Sequence, residues 1–496
     1  MYTYQLSQRC QGFDSITYLG VLFDRKLSFN QHLSAKIDKC TKLLYSVRKM
    51  VGSDWGLSPK VCRWIYDTFI VPSILYGCHL WATKSITRSI QAKLKKLQRL
   101  CCLFISGSCR TTPKATMEAV LGLLPLDLKA KARAAETVWR LSGTLDHEPV
   151  PTGHLEIATN SLHSLGIPTL PSLKNVKVGT NLHGTVEIYG HTVPKDGFDL
   201  ICYTDGSKKE GKAGNGWSIT NHGYAVKSGH QYLGKSASVY QSEVVAMTNC
   251  LDDLSKYLEG MDRTSVVIYT DCQSLTTSLR QSKSIDSLVQ NCRKKLLKLG
   301  QNHKIVISWI KGHSEQTGNE YVDMLAKKGA DQEEYGPEPF LPLSKQTVKS
   351  IIKNKVEKLW KFRWLKTSHT SHSKKMLPKL IKGLNKKVYQ MSRPNIKAMI
   401  AMISGHCNLN AHRQRINRQA NSLCRFCNLG PETPFHWINE CEVFEIRRHE
   451  FSALRIAECR TQSQLSEEMD LLIWARDFLA YCNLWDILKS PIKVDG

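Results

Sequence analysis

From residue 13 the apolar positions first form a short hairpin-like pair, YLGVLFDRKLSF, and then recur at helical spacing. In SPKVCRWIYDTFIVPSILYG, Val61, Ile65 and Phe69 stand four residues apart and predict one apolar helical face. SIQAKLKKLQRLCCLFIS predicts another amphipathic helix, with its basic residues on the open side. Between 146 and 196 the periodicity lapses into proline and turn signals, HEPVPTG and IPTLPS, and the stretch reads as a linker. From 197 to 333 apolar strands (FDLICYTDGS, SVVIYTD, KIVISWIKGHS) alternate with helical segments, one starting at Ser238, after a hairpin-rich NGWSITNHGYAVKSG. The chain thus divides into a helical region 1–145, the linker 146–196, an α/β domain 197–333, a basic linker with helices 334–400, and a helical tail 401–496.

Two of those strands close on the same tripeptide, YTD, so that Asp205 and Asp271 stand at comparable ends of what read as neighbouring strands. Glu243 lies on the helical stripe of Tyr240, Val244, Met247 and Leu251, facing the sheet, where an unpaired carboxylate is costly. Asp323 falls in the second turn of a helix that Thr317 and Glu320 open with the spacing of a capping box. Just upstream, His313 sits in the loop KGHSEQTGNE. A lone aspartate is more often a cap or a surface ion pair. Several carboxylates brought together repel one another unless divalent cations neutralise them. Their hard oxygens suit two Mg²⁺ (or Mn²⁺) ions, and an imidazole that titrates near neutrality suits proton transfer.

Charge adds a partner to this picture. The 496 residues carry a formal net charge of +26, which points to an anionic polymer, nucleic acid before membrane. The stretch from Ser344 to Lys397 holds 16 Lys or Arg against one acid, interleaved with Trp360, Phe362, Trp364 and Tyr389. Cations for phosphates and rings for stacking make Lys353, Lys358, Trp360, Lys361, Arg363 and Trp364 the candidate nucleic-acid contacts. No run is long and apolar enough to span a membrane, and the first residues lack a secretory pattern, so an intracellular location, nucleus or cytoplasm, is expected. Most of the 17 cysteines fall in apolar segments, as buried thiols do. CRFCNLGPETPFHWINEC departs from this: Cys424, Cys427, His436 and Cys441 form a C-x2-C-x8-H-x4-C array fit for a structural Zn²⁺. His406, Cys407 and His412 compete with weaker spacing.

YTDGS at 203, Glu243, YTDCQS at 269 and KGHSEQTGNEYVDMLAK at 311–327 resemble the type 1 ribonuclease H domain over about residues 197–333. The resemblance implies a mixed five-stranded α/β sheet with helices, flanked by mainly helical regions. It implies metal-dependent endonucleolytic hydrolysis of the RNA strand of RNA:DNA hybrids, leaving a 5′-phosphate, with Asp205, Glu243, Asp271 and Asp323 as metal ligands and His313 as the auxiliary group. The tail, through GHCNLNAHRQR, CRFC and ETPFHWINEC, resembles the segment after ribonuclease H in non-long-terminal-repeat retrotransposon polyproteins; the first 150 residues resemble the thumb-side end of their reverse transcriptase. No polymerase activity is expected, because the adjacent pair Asp252–Asp253 falls in a helix rather than a strand–turn–strand. The chain reads as a truncated retroelement fragment, and the rival expectation is a catalytically silent nucleic-acid-binding protein.

Overall fold

The computed structural model describes residues 14–490 apart from 53–54, 83–86, 143–177, 180–181, 183, 282, 285, 313–316, 333–340, 342, 418–420 and 459–466. It divides into two compact units, Met1–Ala134 with Asn354–Gly496, and Ala135–Lys353. No helix among the described residues is long and apolar enough to cross a membrane.

The first unit opens on a hairpin of β1 (Ser15–Tyr18) and β2 (Val21–Asp24). The Asp24 carboxylate accepts the backbone N–H groups of Ser28 (2.9 Å) and Phe29 (2.7 Å), which holds Phe29 in the left-handed region and launches the helix Asn30–Arg48. The helix Arg88–Ser106 buries Ile90, Leu94, Leu97, Cys101 and Ile105 and leaves Lys93, Lys95 and Lys96 exposed, as its pattern predicts.

The face of Val61, Ile65 and Phe69 is not the core face. Val61 and Phe69 are 39% and 52% exposed, while Cys62, Tyr66 and Ile70, one residue along, are buried. Both stripes have the same spacing; the inner one is selected by packing and by the Tyr66 hydroxyl, which donates to Gln98 Oε1 at 3.0 Å. A π-helical turn, Tyr66–Ile70, then carries the chain into Val71–Leu75.

Linear reading treats the first 145 residues and the tail as separate regions, yet they share one core. Met117, Val120 and Leu121 cluster with Ile396, Met399 and Ile400, and with Trp437, Cys441 and Phe478. Trp364 joins this core at 2% exposure. Spacing shows which face of each helix is apolar; it does not say which distant face it meets.

In the second unit a six-stranded sheet runs in the order β4-β10-β8-β5-β6-β7. Its members are β4 (Val186–Tyr189), β5 (Leu200–Lys209), β6 (Lys212–Asn221), β7 (Tyr224–Gly234), β8 (Ser265–Thr270) and β10 (Lys304–Trp309); the two-residue strands β3 (Val178–Gly179) and β9 (Lys283–Ser284) pair separately. β4, β10, β8 and β5 are parallel, and β5, β6 and β7 form an antiparallel meander. The sixth strand is a correction to the expected five: β4 lies inside the stretch read as linker, where four residues, VEIY, are too short for periodicity to register.

Each sheet face carries its own core. Leu200, Cys202, Ile268 and Ile307 pack with Val244, Met247 and Leu251 of the helix Val239–Tyr257 and with the helix Ser287–Asn302. Tyr203, Val267, Tyr269 and Val306 pack with Val322 of the helix Thr317–Asp331. Gly216 permits that second contact, since a Cβ there would lie 2.6 Å from Val322 O.

Candidate active site

Tyr203 pairs with Tyr269 and Thr204 with Thr270 across the parallel β5–β8 ladder, so the next residues, Asp205 and Asp271, emerge side by side. The two tyrosine rings stack behind them with centroids 5.2 Å apart. β8 ends before Asp271, but β5 does not end at Asp205: it continues through Gly206 to Lys209, paired with β6 throughout. Gly206 therefore stands in mid-strand, not at a turn. Its role is close approach: a Cβ on Gly206 would lie 2.6 Å from Glu243 N and 2.8 Å from Ser242 Cβ. Gly206→Ala pushes the helix off the strand, with an expected loss of about 1–3 kcal/mol that urea denaturation measures.

That helix begins with a full capping box, Ser238 with Gln241, which fixes where its first turns stand against β5. Glu243 is buried at 4%, and its Oε2 has no hydrogen-bond partner among the described residues. Asp205, Glu243 and Asp271 each offer a carboxylate oxygen within 4.8 Å of the others. Asp323 projects from the second turn of its helix toward the same place and repels Asp205, but lies outside the tight trio. Its Oδ2 is held by Lys327 Nζ at 2.6 Å, one turn on, a partner that the sequence pattern did not single out although the i, i+4 spacing was there to find it. Gly312 comes close enough for an added Cβ to meet Asp271 Oδ2 at 2.9 Å, so the glycine beside His313 leaves room for that carboxylate. His313 itself lies outside the described residues.

Burial, then the charges of Asp271 and Asp323, push the Asp205 carboxyl from 3.8 up to about 7. Glu243 is driven well up by burial, then by Asp205 and Asp271. An orphaned buried oxygen and two carboxyls that resist ionisation fit a site that completes itself with cations: oxygen ligands, a net negative charge and open positions suit Mg²⁺ or Mn²⁺.

The linkage has a definite sign. A native pKa raised from 3.8 to about 7 means that the folded state keeps a proton the unfolded chain has lost. The resulting penalty is absent below about pH 4, grows between the two values and is complete above about pH 7. Asp205→Asn therefore stabilises the metal-free protein by about 2–4 kcal/mol at pH 8 and hardly at all at pH 4. Urea denaturation in EDTA at the two pH values checks this.

A second constellation lies in the first unit. Cys424, Cys427, His436 and Cys441 bring one ligand atom each within 4.8 Å of the rest. Cys424 Sγ and Cys441 Sγ are 4.0 Å apart, and Cys427 Sγ is 3.2 Å from His436 Nε2. Two sulfurs on a tetrahedral Zn²⁺ stand about 3.8 Å apart, so the quartet fits that ion. The loop is built locally: Cys424 N–H donates to Gly430 O at 2.8 Å, and Asn428 N–H to Cys424 O at 2.9 Å, with Asn428 left-handed at φ 59°. The N–H of Leu429, helped by His436, brings the Cys427 thiol down to about 6, while burial pushes Cys441 up to about 12. Beneath the loop, fully buried Glu432 is clasped by Arg425 and accepts Asn410 N–H at 2.7 Å, a support that spacing did not reveal. His406 and His412 are not in the quartet; the His412 ring bonds to Thr111 Oγ1 (3.1 Å) and Cys407 O (2.9 Å).

The basic stretch divides. Lys353, Lys358 and Lys361 are exposed on the helix Lys345–Lys366, and Trp360 is half-buried. One contact proposed from sequence is corrected: Trp364 is core, so its ring cannot stack a base. Arg363 is exposed and pairs with Asp127 through two bonds of 3.0 and 2.8 Å. The Tyr389 hydroxyl is likewise occupied, by Leu121 O and Arg63. The pair Asp252–Asp253 is structural: Asp252 binds Lys295, and Asp253 accepts Trp217 Nε1–H at 2.9 Å.

A meander that continues into parallel strands, with acids gathered where β5 and β8 run side by side, is the ribonuclease H-like α/β arrangement. Residues 198–331 match the family model described as RNase H. Over 120 residues, 24% of this chain, the sequence is 31% identical to the 115 kDa protein in the type-1 retrotransposable element R1DM of Drosophila melanogaster, and that stretch covers 12% of the relative's length. It is 28% identical over 145 residues to a ribonuclease H of Legionella pneumophila (strain Corby), covering 26% of this chain and 95% of that protein. The crystal structure of RNase H1 from the halophilic archaeon Halobacterium salinarum NRC-1 aligns with a TM-score of 0.23 at 22% identity, over 27% of this chain and 97% of that one. The chain carries a ribonuclease H domain, and over part of its length it is similar to type-1 retrotransposon proteins.

Proposed function

We propose that residues 197–333 hydrolyse the RNA strand of RNA:DNA hybrids endonucleolytically, leaving a 5′-phosphate, with Asp205, Glu243, Asp271 and Asp323 holding two Mg²⁺ or Mn²⁺ ions. The observation that carries this reading is the trio of buried Asp205 and Glu243 with half-buried Asp271, and its unpartnered Glu243 oxygen. When bound, such ions supply an activated water and a clamp on the leaving oxygen of a phosphodiester. The chain's own contribution is placement. The β5–β8 ladder fixes two ligands to backbone that cannot swing, and the capped helix delivers the third from the side. Asp323, held by Lys327 one turn on, is assigned the fourth ligand position. His313 is assigned proton transfer or product release. Lys353, Lys358 and Lys361 are assigned phosphate contacts, and the cysteine–histidine quartet a structural Zn²⁺.

The substrate class is tested by offering the purified chain, with Mg²⁺, an RNA:DNA hybrid, duplex RNA and duplex DNA of one sequence. Cleavage confined to the hybrid supports the reading. Equal cleavage of duplex RNA removes hybrid specificity, and binding of every duplex without turnover leaves the silent nucleic-acid-binding protein.

A further inference from the structure

The first unit contains a cavity of about 230 Å³ that neither metal constellation uses, walled by Arg48, Gly52, Ser108, Arg110 and Arg393. Arg393 is 6% exposed; its Nη1 donates to Phe104 O at 2.8 Å, and its Nη2 to Leu57 O at 3.0 Å and Cys62 Sγ at 3.1 Å. Burial pushes the Cys62 thiol up, so all three acceptors are neutral. A guanidinium buried among dipoles without a counter-charge is costly. Arg48, ending the helix Asn30–Arg48, and Arg110 are exposed at the same cavity, and none of the three arginines has an ion pair among the described residues. The Ser108 hydroxyl is buried there and has no partner among them. Two exposed guanidinium groups and a spare hydroxyl lining one space, with the buried charge of Arg393 behind them, are what a phosphate group takes.

A ring stands beside this cluster. Trp55 is 65% exposed and packs over Gly52, one wall of the cavity, so closely that a Cβ on Gly52 would fall 2.1 Å from the indole Nε1. Gly52 N–H donates to Trp55 O (3.1 Å), and Val51 pairs with Gly56 in an isolated bridge.

We propose that this cavity binds a backbone phosphate of a single-stranded nucleic acid while Trp55 stacks the neighbouring base. A free anion would not need the indole, and a base inside a duplex could not reach it. The proposal shares with the functional reading above a nucleic-acid partner, but not the nuclease.

Fluorescence anisotropy tests it, with labelled single strands of about 12 nucleotides, one RNA and one DNA, over a salt series. The full chain carries Asp271→Asn so that the strands stay whole. The double variant Arg48→Ala/Arg110→Ala binds at least about fivefold more weakly, and its salt slope falls by about 1–2. Trp55→Ala weakens binding by at least about fivefold with the slope unchanged, and Trp55→Phe restores most of it. These positions are exposed, and a thermal melt verifies that each variant is folded; Arg393 is left in place because its bonds knit the core. Weakening of RNA but not DNA assigns the site to RNA, and the reverse to DNA. Unchanged binding in both variants overturns the proposal, as does a loss in the arginine variant with none in Trp55→Ala. Hybrid cleavage, assayed in parallel with Asp271 intact, separates the two readings: a wild-type chain that fails to cut yet shows these losses sinks the nuclease and leaves this site standing.

Discussion

Glu243→Gln lowers the rate of hybrid cleavage by at least about a thousandfold and leaves the protein folded. The substitution keeps size and shape while removing the charge that the trio needs to hold a cation. Glu243 is 4% exposed, so no water stands in for the lost ligand, and its neighbours Asp205 and Asp271 are fixed to the sheet and cannot close the gap. A factor of a thousand is about 4 kcal/mol of transition-state stabilisation, the scale at which one preorganised charge acts in a dry site. Single-turnover cleavage at saturating Mg²⁺ reads the rate, and circular dichroism the fold. A drop below tenfold would mean that Glu243 is not a metal ligand.

Cys441→Ser has the second large effect, on stability rather than turnover. Cys441 is fully buried, lies 4.0 Å from Cys424 Sγ and belongs to the core that the first unit builds from both ends of the chain. Its thiol, pushed up to about 12 by burial, ionises there when a cation repays the cost. Loss of one of four ligands is expected to take zinc content from about one ion per chain to near zero and to cost the first unit at least about 3 kcal/mol. Elemental analysis and chelator-dependent thermal denaturation measure the two. Cys482→Ser, a buried cysteine of the same core outside the quartet, is the control: it lowers stability modestly and leaves zinc unchanged.

Both constellations were legible because their chemistry is written in short spacings: YTD on two strands, an acid on a helical stripe, C-x2-C followed by histidine. What stayed hidden depends on contacts between distant segments. The four residues of β4 gain their strand character from pairing with β10, not from any pattern of their own. A glycine after an acid often marks a turn; only the approach of the Glu243 helix reveals that Gly206 meets a packing demand in mid-strand. Val61 and Phe69 repeat as regularly as Cys62 and Tyr66, and the choice between the stripes was made by Gln98 and the core beyond it. Trp364 reads as a nucleic-acid contact because composition counts side chains without asking which are already buried.

Whether the acids at the β5–β8 junction cut RNA paired with DNA is read by strand-resolved cleavage: a hybrid labelled separately on each strand, incubated with the purified chain and Mg²⁺, beside the same chain carrying Asp271→Asn. The expected result is RNA fragments with the DNA intact, no cleavage by the variant and none after EDTA. An untouched RNA strand, or equal cleavage by Asp271→Asn, would contradict it.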